Sequence, residues 1–188
     1  DGYEFHPIEP TDDKTWDEAT SAFRASGLKR AGMYVVAKGI NDDEFDKFDV
    51  EVARAKQMID RLAEIDPQAF VNFTILSNPA GESNPDYRLA GSGQAEARHW
   101  ERTAVMMREI DDHIALRGLS GNLYNHVWFM IDTPAAELRA IRESGAKVIK
   151  PGIAMLISTS PLRSVSFGRV ATPARLFRRL TISVATLT

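Results

Sequence analysis

The sequence predicts an α/β fold of the (β/α)8 TIM-barrel type, incomplete at about five to six βα units. Three observations carry that prediction. Short β-branched and aromatic runs alternate with longer amphipathic stretches, the pattern of parallel strands joined by crossover helices. There is neither a G-x-G-x-x-G run nor a Walker lysine motif, the phosphate loops that would favour an open doubly wound sheet. Eight complete units normally need about 250 residues, and the chain has 188.

The first strand is expected over Tyr3 to Ile8, with Pro7 and Pro10 closing it. A helix follows from about Asp13 to Ser26, where Trp16, Ala19, Ala22 and Phe23 share one face and Gly27 stands at the stop. Gly32 to Lys38 is the second strand, rich in Val and Tyr. Val52, Ala55, Ile59, Leu62 and Ala63 line one side of a helix over Asp49 to Ile65, which Asp66 and Pro67 end. Ala69 to Leu76 is the third strand, and a long connection, Ser77 to Gly93, comes after it. Loops of that length in compact domains are commonly functional.

The clearest helix runs from about Gln94 to Leu116, with Ala97, Trp100, Ala104, Met107 and Ile114 on its apolar stripe. His99 and His113 sit there among charged neighbours and are expected on the solvated surface. Gly118 caps the helix, Asn122 to Phe129 reads as the fourth strand, Thr133 opens a helix reaching Ser144, and Ala146 to Ile149 reads as the fifth strand.

Charge divides the chain. All 26 acidic residues lie at or before Glu143, while seven of the 23 cations follow it, so the first 143 residues are acidic and the remainder basic. From Leu156 onward there is no Asp, Glu, Lys or Asn, and the strand-helix rhythm stops. The expectation is a partial barrel over residues 1–155, followed at 156–188 by a basic, acid-free tail foreign to it, such as a shifted reading frame or a truncated end would leave. The tail arginines are interleaved with Ser, Thr and Leu and no nucleic-acid module precedes them, so no nucleic-acid partner is expected. Cysteine is absent, as are a membrane-spanning apolar run and a cleavable leader pattern; the expectation is a cytoplasmic protein with no disulfide, no thiolate zinc and no membrane partner.

In a barrel the chemistry lies at the carboxyl ends of the strands. The first strand offers Glu4 and His6, two residues apart and therefore on one face, either as catalytic groups or as a hydrogen-bonded core pair. Lys38 ends the second strand, Ser77 and Asn78 the third, and Asn125, His126 and Trp128 the fourth. Alternation places Asn122, Tyr124, His126 and Trp128 on one face of the predicted strand. An imidazole between a phenol and an indole suits sugar binding, since aromatic faces pack on C–H surfaces while polar tips take hydroxyls; a structural histidine at the rim is the alternative. Glu4, His6, His126 and Asp132 are the strand-end groups that could serve a metal, an incomplete set. With no cysteine and no serine in an elbow motif, no nucleophile triad is legible.

The segments GYEFHP (2–7), ASGLKRAGMYV (25–35), DDHIALRGL (111–119) and NLYNHVW (122–128) together resemble the sugar phosphate isomerase/epimerase family of the xylose isomerase-like TIM barrels. The resemblance covers about residues 1 to 155 and corresponds to the second to sixth barrel strands. It implies an isomerase or epimerase that uses a divalent metal (Mn²⁺, Mg²⁺ or Zn²⁺), takes a sugar, sugar phosphate or polyol, and moves a proton next to a carbonyl. It also implies that Asn125 and His126 match the Asn-His pair at the end of the fifth barrel strand, and that His6 faces the substrate from the second. Catalytic candidates are therefore His6, His126 and Glu4, and substrate-binding candidates Lys38, Asn78, Asn125 and Trp128. The sequence departs from the family where Tyr124 replaces a metal-binding Glu, where the sixth-strand Asp-x-x-His is absent, and where the last two strands are missing. A barrel so shortened has an open edge that invites homo-oligomer formation, and turnover by the chain alone is expected to be weak or nil. A carbon-glycoside-cleaving lyase, a keto-inositol dehydratase, and a non-catalytic barrel fragment acting in binding or assembly stand as alternatives.

Overall fold

The computed structural model describes residues 2–5, 13–81 and 91–152. Five strands, β1 (Gly2–Phe5), β2 (Arg30–Ala37), β3 (Phe70–Ile75), β4 (Ser120–Leu123) and β5 (Ile149–Pro151), alternate with four helices, α1 (Asp13–Ala25), α2 (Phe48–Ile65), α3 (Ala97–Leu116) and α4 (Pro134–Ser144). All neighbouring strands pair in parallel, in the order β1-β2-β3-β4-β5. A sheet whose spatial order equals its chain order, with a helix between each pair of strands, is an incomplete (β/α)8 barrel.

Register sorts the strand side chains into two faces. Met33, Val71, Gly121 and Ile149 form one row, and Val35, Phe73 and Leu123 the next. Met33, Val35, Val71, Phe73, Leu123 and Ile149 are fully buried in one cluster with Met58, Ile59, Leu62, Met107, Ile110 and Ile114 of the helices. Phe5 joins this layer at the β1 edge, its ring 6.2 Å from Trp16 and 6.1 Å from Phe23 of α1. The opposite face carries the row Tyr34, Asn72, Asn122 and Lys150, with Glu4, Gly32, Phe70 and Ser120 one row nearer the amino ends. Gly32 leaves room that the Phe70 ring fills, since a Cβ there would lie 2.4 Å from it.

Two strands differ from the sequence expectation. β4 starts at Ser120 and stops at Leu123, before the predicted run Tyr124 to Phe129. Tyr124 still donates its N–H to the Phe73 carbonyl at 2.7 Å, but His126 N–H turns to Ile131 O (2.6 Å) and Met130 N–H to Ser77 O (2.9 Å), which bends the segment into a loop. Tertiary hydrogen bonds override the β propensity of Val127, Trp128 and Phe129 here. β5 starts at Ile149 because the carboxylate of Asp111 on α3 takes the N–H groups of Lys147 (2.8 Å), Val148 (2.9 Å) and Ile149 (2.7 Å), so the approach to the strand is held by a side chain. The expected boundary near residue 155 and the far end of the first predicted strand lie outside the described residues.

Candidate functional site

The carboxyl ends of β2, β3 and β4 are joined by one buried network. After β2, Gly39 turns with φ at 101°, a left-handed backbone that glycine adopts without strain. The N–H groups of Gly39 and Ile40 donate to Ser77 Oγ at 3.0 and 3.3 Å, and the hydroxyl donates to Glu44 Oε2 at 2.8 Å. Glu44 and Ser77 are both buried, and Glu44 also accepts from Gly39 N–H at 3.3 Å. Asn41 donates to the Asn78 carbonyl at 2.6 Å, while Asn78 Oδ1 accepts from Ala80 N–H at 3.0 Å, an Asx turn at the root of the long connection. The Ser77 carbonyl, accepting from Met130, ties this knot to the loop after β4.

That loop carries the aromatic groups. Tyr124 meets Tyr34 edge to face at 5.4 Å, His126 lies 6.5 Å from Tyr124, and Phe129 stacks edgewise on His126 at 5.1 Å. Tyr124 and Trp128 are 39% and 37% exposed. His126 Nδ1 lies 3.1 Å from the Val127 carbonyl. On the neighbouring sheet face Asn122 Nδ2 donates to Asn72 Oδ1 (3.3 Å), and Asn72 Nδ2 donates to Glu4 Oε1, a ladder pointing toward β1. Burial pushes the Tyr34 phenol up well above its ordinary value; the charges of Tyr124 and Glu4 add to this and Thr74 opposes it, so the phenol is a hydrogen-bond donor at neutral pH.

The predicted site residues scatter across this geometry. Glu4 stands on the polar face, bonded to Asn72. Lys38 follows β2, its N–H on Glu51 Oε2 at 3.0 Å. Asn78 and Asn125 are buried, His126 is half-buried, and Trp128 is partly exposed. His6 lies outside the described residues. The single strand face expected for Asn122, Tyr124, His126 and Trp128 does not exist, because only Asn122 is in β4. His99 is buried rather than solvated: it is the third residue of α3, and its Nδ1 accepts from Glu96 N–H at 3.0 Å, closing the helix start. His113 is half-buried, with Nε2 at 2.5 Å from Asp60 of α2. Tyr34, Asn72 and Thr74 were not predicted; the signal for them was polar or phenolic residues at period two inside otherwise apolar strands.

Among the described residues no three His, Asp or Glu side chains converge on a point that could hold a metal. The nearby carboxylates are committed elsewhere: Glu44 to Ser77, Glu137 to the N–H of Gly152, Asp132 to Ser92. The described residues therefore do not fit the divalent ion that the resemblance implied.

A five-strand parallel βα arc with its polar groups at the carboxyl ends defines a partial TIM barrel, a fold it shares with solved TIM-barrel structures. Similar solved structures include a xylose isomerase-like TIM barrel protein from Mycobacterium smegmatis in complex with magnesium (15% identity, 79% of this chain and 50% of that one, TM-score 0.55). A D-tagatose 3-epimerase-like protein matches over 80% of this chain and 55% of its own at 15% identity and TM-score 0.58. A 3-keto-D-glucoside 4-epimerase from E. coli, in its apo form, matches over 73% and 52% at 15% identity and TM-score 0.54. The chain thus spans about half the length of these structures. No protein-family model and no curated protein matches its sequence. No described helix is long and apolar enough to cross a membrane.

Proposed function

We propose that this arc forms the substrate wall of a sugar or polyol isomerase or epimerase that moves a proton between carbons next to a carbonyl. The carrying observation is the half-buried polar row Tyr34, Asn72 and Asn122, on the face that complete barrels normally fill with branched apolar side chains. Amides and a protonated phenol give fixed donors and acceptors for hydroxyls, and the partly exposed Tyr124 and Trp128 supply aromatic surface suited to sugar C–H groups. In this reading His126 takes the proton, with Glu4 and His6 as the other candidate acid-base groups and Lys38, Asn78 and Asn125 as polar lining. The likeness to two structures named as epimerases or epimerase-like supports the choice of chemistry.

The test is solvent exchange. The purified chain is incubated in D₂O with free ketoses, 3-keto-glucosides and sugar phosphates, with and without Mn²⁺, Mg²⁺ or Zn²⁺, and deuterium in the C–H bonds next to the carbonyl is read by NMR. Slow incorporation that His126→Gln reduces at least about tenfold is expected, a size common for loss of an acid-base group. Incorporation that His126→Gln leaves unchanged refutes the reading.

A further inference from the structure

We infer that Trp128 is a positioning residue: its left-handed backbone aims the Val127 carbonyl at the His126 imidazole and thereby fixes the tautomer of that ring. Among the described residues Trp128 is the one non-glycine residue with positive φ, at 73°. That region crowds an L side chain's Cβ against the neighbouring carbonyl, so it persists only where surrounding contacts impose it. Those contacts are present. Phe129 N–H donates to His126 O at 3.3 Å, His126 N–H to Ile131 O at 2.6 Å, and Met130 N–H to the Ser77 carbonyl at 2.9 Å, which holds the turn on both sides of Trp128.

The peptide plane between Val127 and Trp128 is rigid, and its orientation is set by ψ of the first residue and φ of the second. With the turn anchored on both sides, ψ of Val127 and φ of Trp128 change together, so reversing the sign of φ at 128 turns this peptide plane over and its carbonyl away from His126. In the observed turn the Val127 carbonyl points at His126 Nδ1, 3.1 Å away. A carbonyl oxygen can only accept, so Nδ1 carries the proton and Nε2 presents a lone pair. A base fixed in this way meets substrate with the correct nitrogen and no reorganisation. The catalytic meaning rests on the reading of His126 as the base; the tautomer assignment does not.

The experiment is NMR of the full chain with ¹⁵N-labelled histidine at a pH where imidazole is neutral. His126 is expected with a protonated Nδ1 and an unprotonated Nε2. Trp128→Gly, which tolerates the left-handed backbone, keeps that pattern. Trp128→Ile, β-branched and poorly suited to positive φ, shifts it to a protonated Nε2. The HN–Hα coupling at position 128 reads φ in each variant, and Trp128→Pro forces negative φ should the isoleucine variant stay left-handed. A protonated Nε2 in the unmodified chain overturns the inference. So does a folded variant with negative φ at 128 that retains the Nδ1 proton. If the tautomer changes while deuterium exchange into sugars is unaltered, the positioning role stands and the catalytic reading of His126 falls.

Discussion

Removing one hydroxyl tests whether the buried knot at the strand ends holds the candidate site together. In Ser77→Ala the Ile40 N–H loses its acceptor at 3.3 Å, and the Glu44 carboxylate loses a donor at 2.8 Å. Gly39 N–H is spared in part, because Glu44 Oε2 also accepts from it at 3.3 Å. Stranding a buried N–H costs about 1–3 kcal/mol, and a hydrogen bond to a charged group contributes about 1.5–3 kcal/mol. The lost oxygen leaves a negligible cavity, so the sum is about 2.5–6 kcal/mol, or roughly 5–24 °C in Tm for a domain of this size. Urea unfolding followed by circular dichroism reads it, with the slope against denaturant unchanged. A double-mutant cycle with Glu44→Ala should give a coupling of about 1–3 kcal/mol, since both residues belong to one network. A loss below about 1 kcal/mol, or two fully additive effects, would show that the hydroxyl and the carboxylate do not act as a unit.

Three shorter expectations follow from the same structure. Burial raises the carboxyl pKa of Glu137, with the Gly152 N–H opposing, so its contribution to stability is present below the ordinary glutamate range and is lost as pH rises through the raised value; Glu137→Gln should flatten that part of a urea-midpoint profile against pH. Burial, aided by Arg98, lowers the His99 pKa, and a protonated Nδ1 could no longer accept from Glu96. Stability should fall as pH drops below about 6.5, and His99→Gln should remove that slope in thermal melts. Gly152→Ala places a Cβ 2.4 Å from the Leu123 carbonyl and should cost about 2–3 kcal/mol, whereas Gly32→Ala meets only the far edge of the half-buried Phe70 ring and should cost about 1 kcal/mol or less in urea titrations.

The helices were legible because their apolar stripes repeat at 3.6 residues over several turns: Val52, Ala55, Ile59 and Leu62 in α2 are all buried as their spacing requires. Strand existence was legible from β-branched runs, but strand ends were not. Nothing in VWF at 127–129 announces a loop; the chain leaves the sheet because Ser77 and Ile131, distant or downstream, offer better acceptors. His99 was misplaced for a related reason. Its neighbours in sequence are charged, yet its position at the start of α3 gives the imidazole a backbone N–H to accept and a buried place to do so. At the site, Glu4, His126 and Trp128 were visible as unusual residue types near strand ends. The Ser77–Glu44 pair was less so, since what makes it matter is a partner 33 positions away.

The two faces of the sheet obey different rules, and that difference carries the functional argument. On the helix-facing side the rows across β2, β3 and β4 are apolar and buried, and packing alone explains them. On the other side, Asn72 receives a hydrogen bond from Asn122 and gives one to Glu4, so its amide is used at both ends and held in one orientation. A core needs no such device: an apolar side chain of similar size would fill the same space with no polar group to satisfy. An amide ladder that remains half-buried and not sealed keeps its outer lone pairs and N–H groups within reach of solvent or of a ligand's hydroxyls. Under the proposed function, its fixed direction, from Asn122 through Asn72 to Glu4, would set which substrate hydroxyls donate and which accept. Apolar packing alone would impose no such direction.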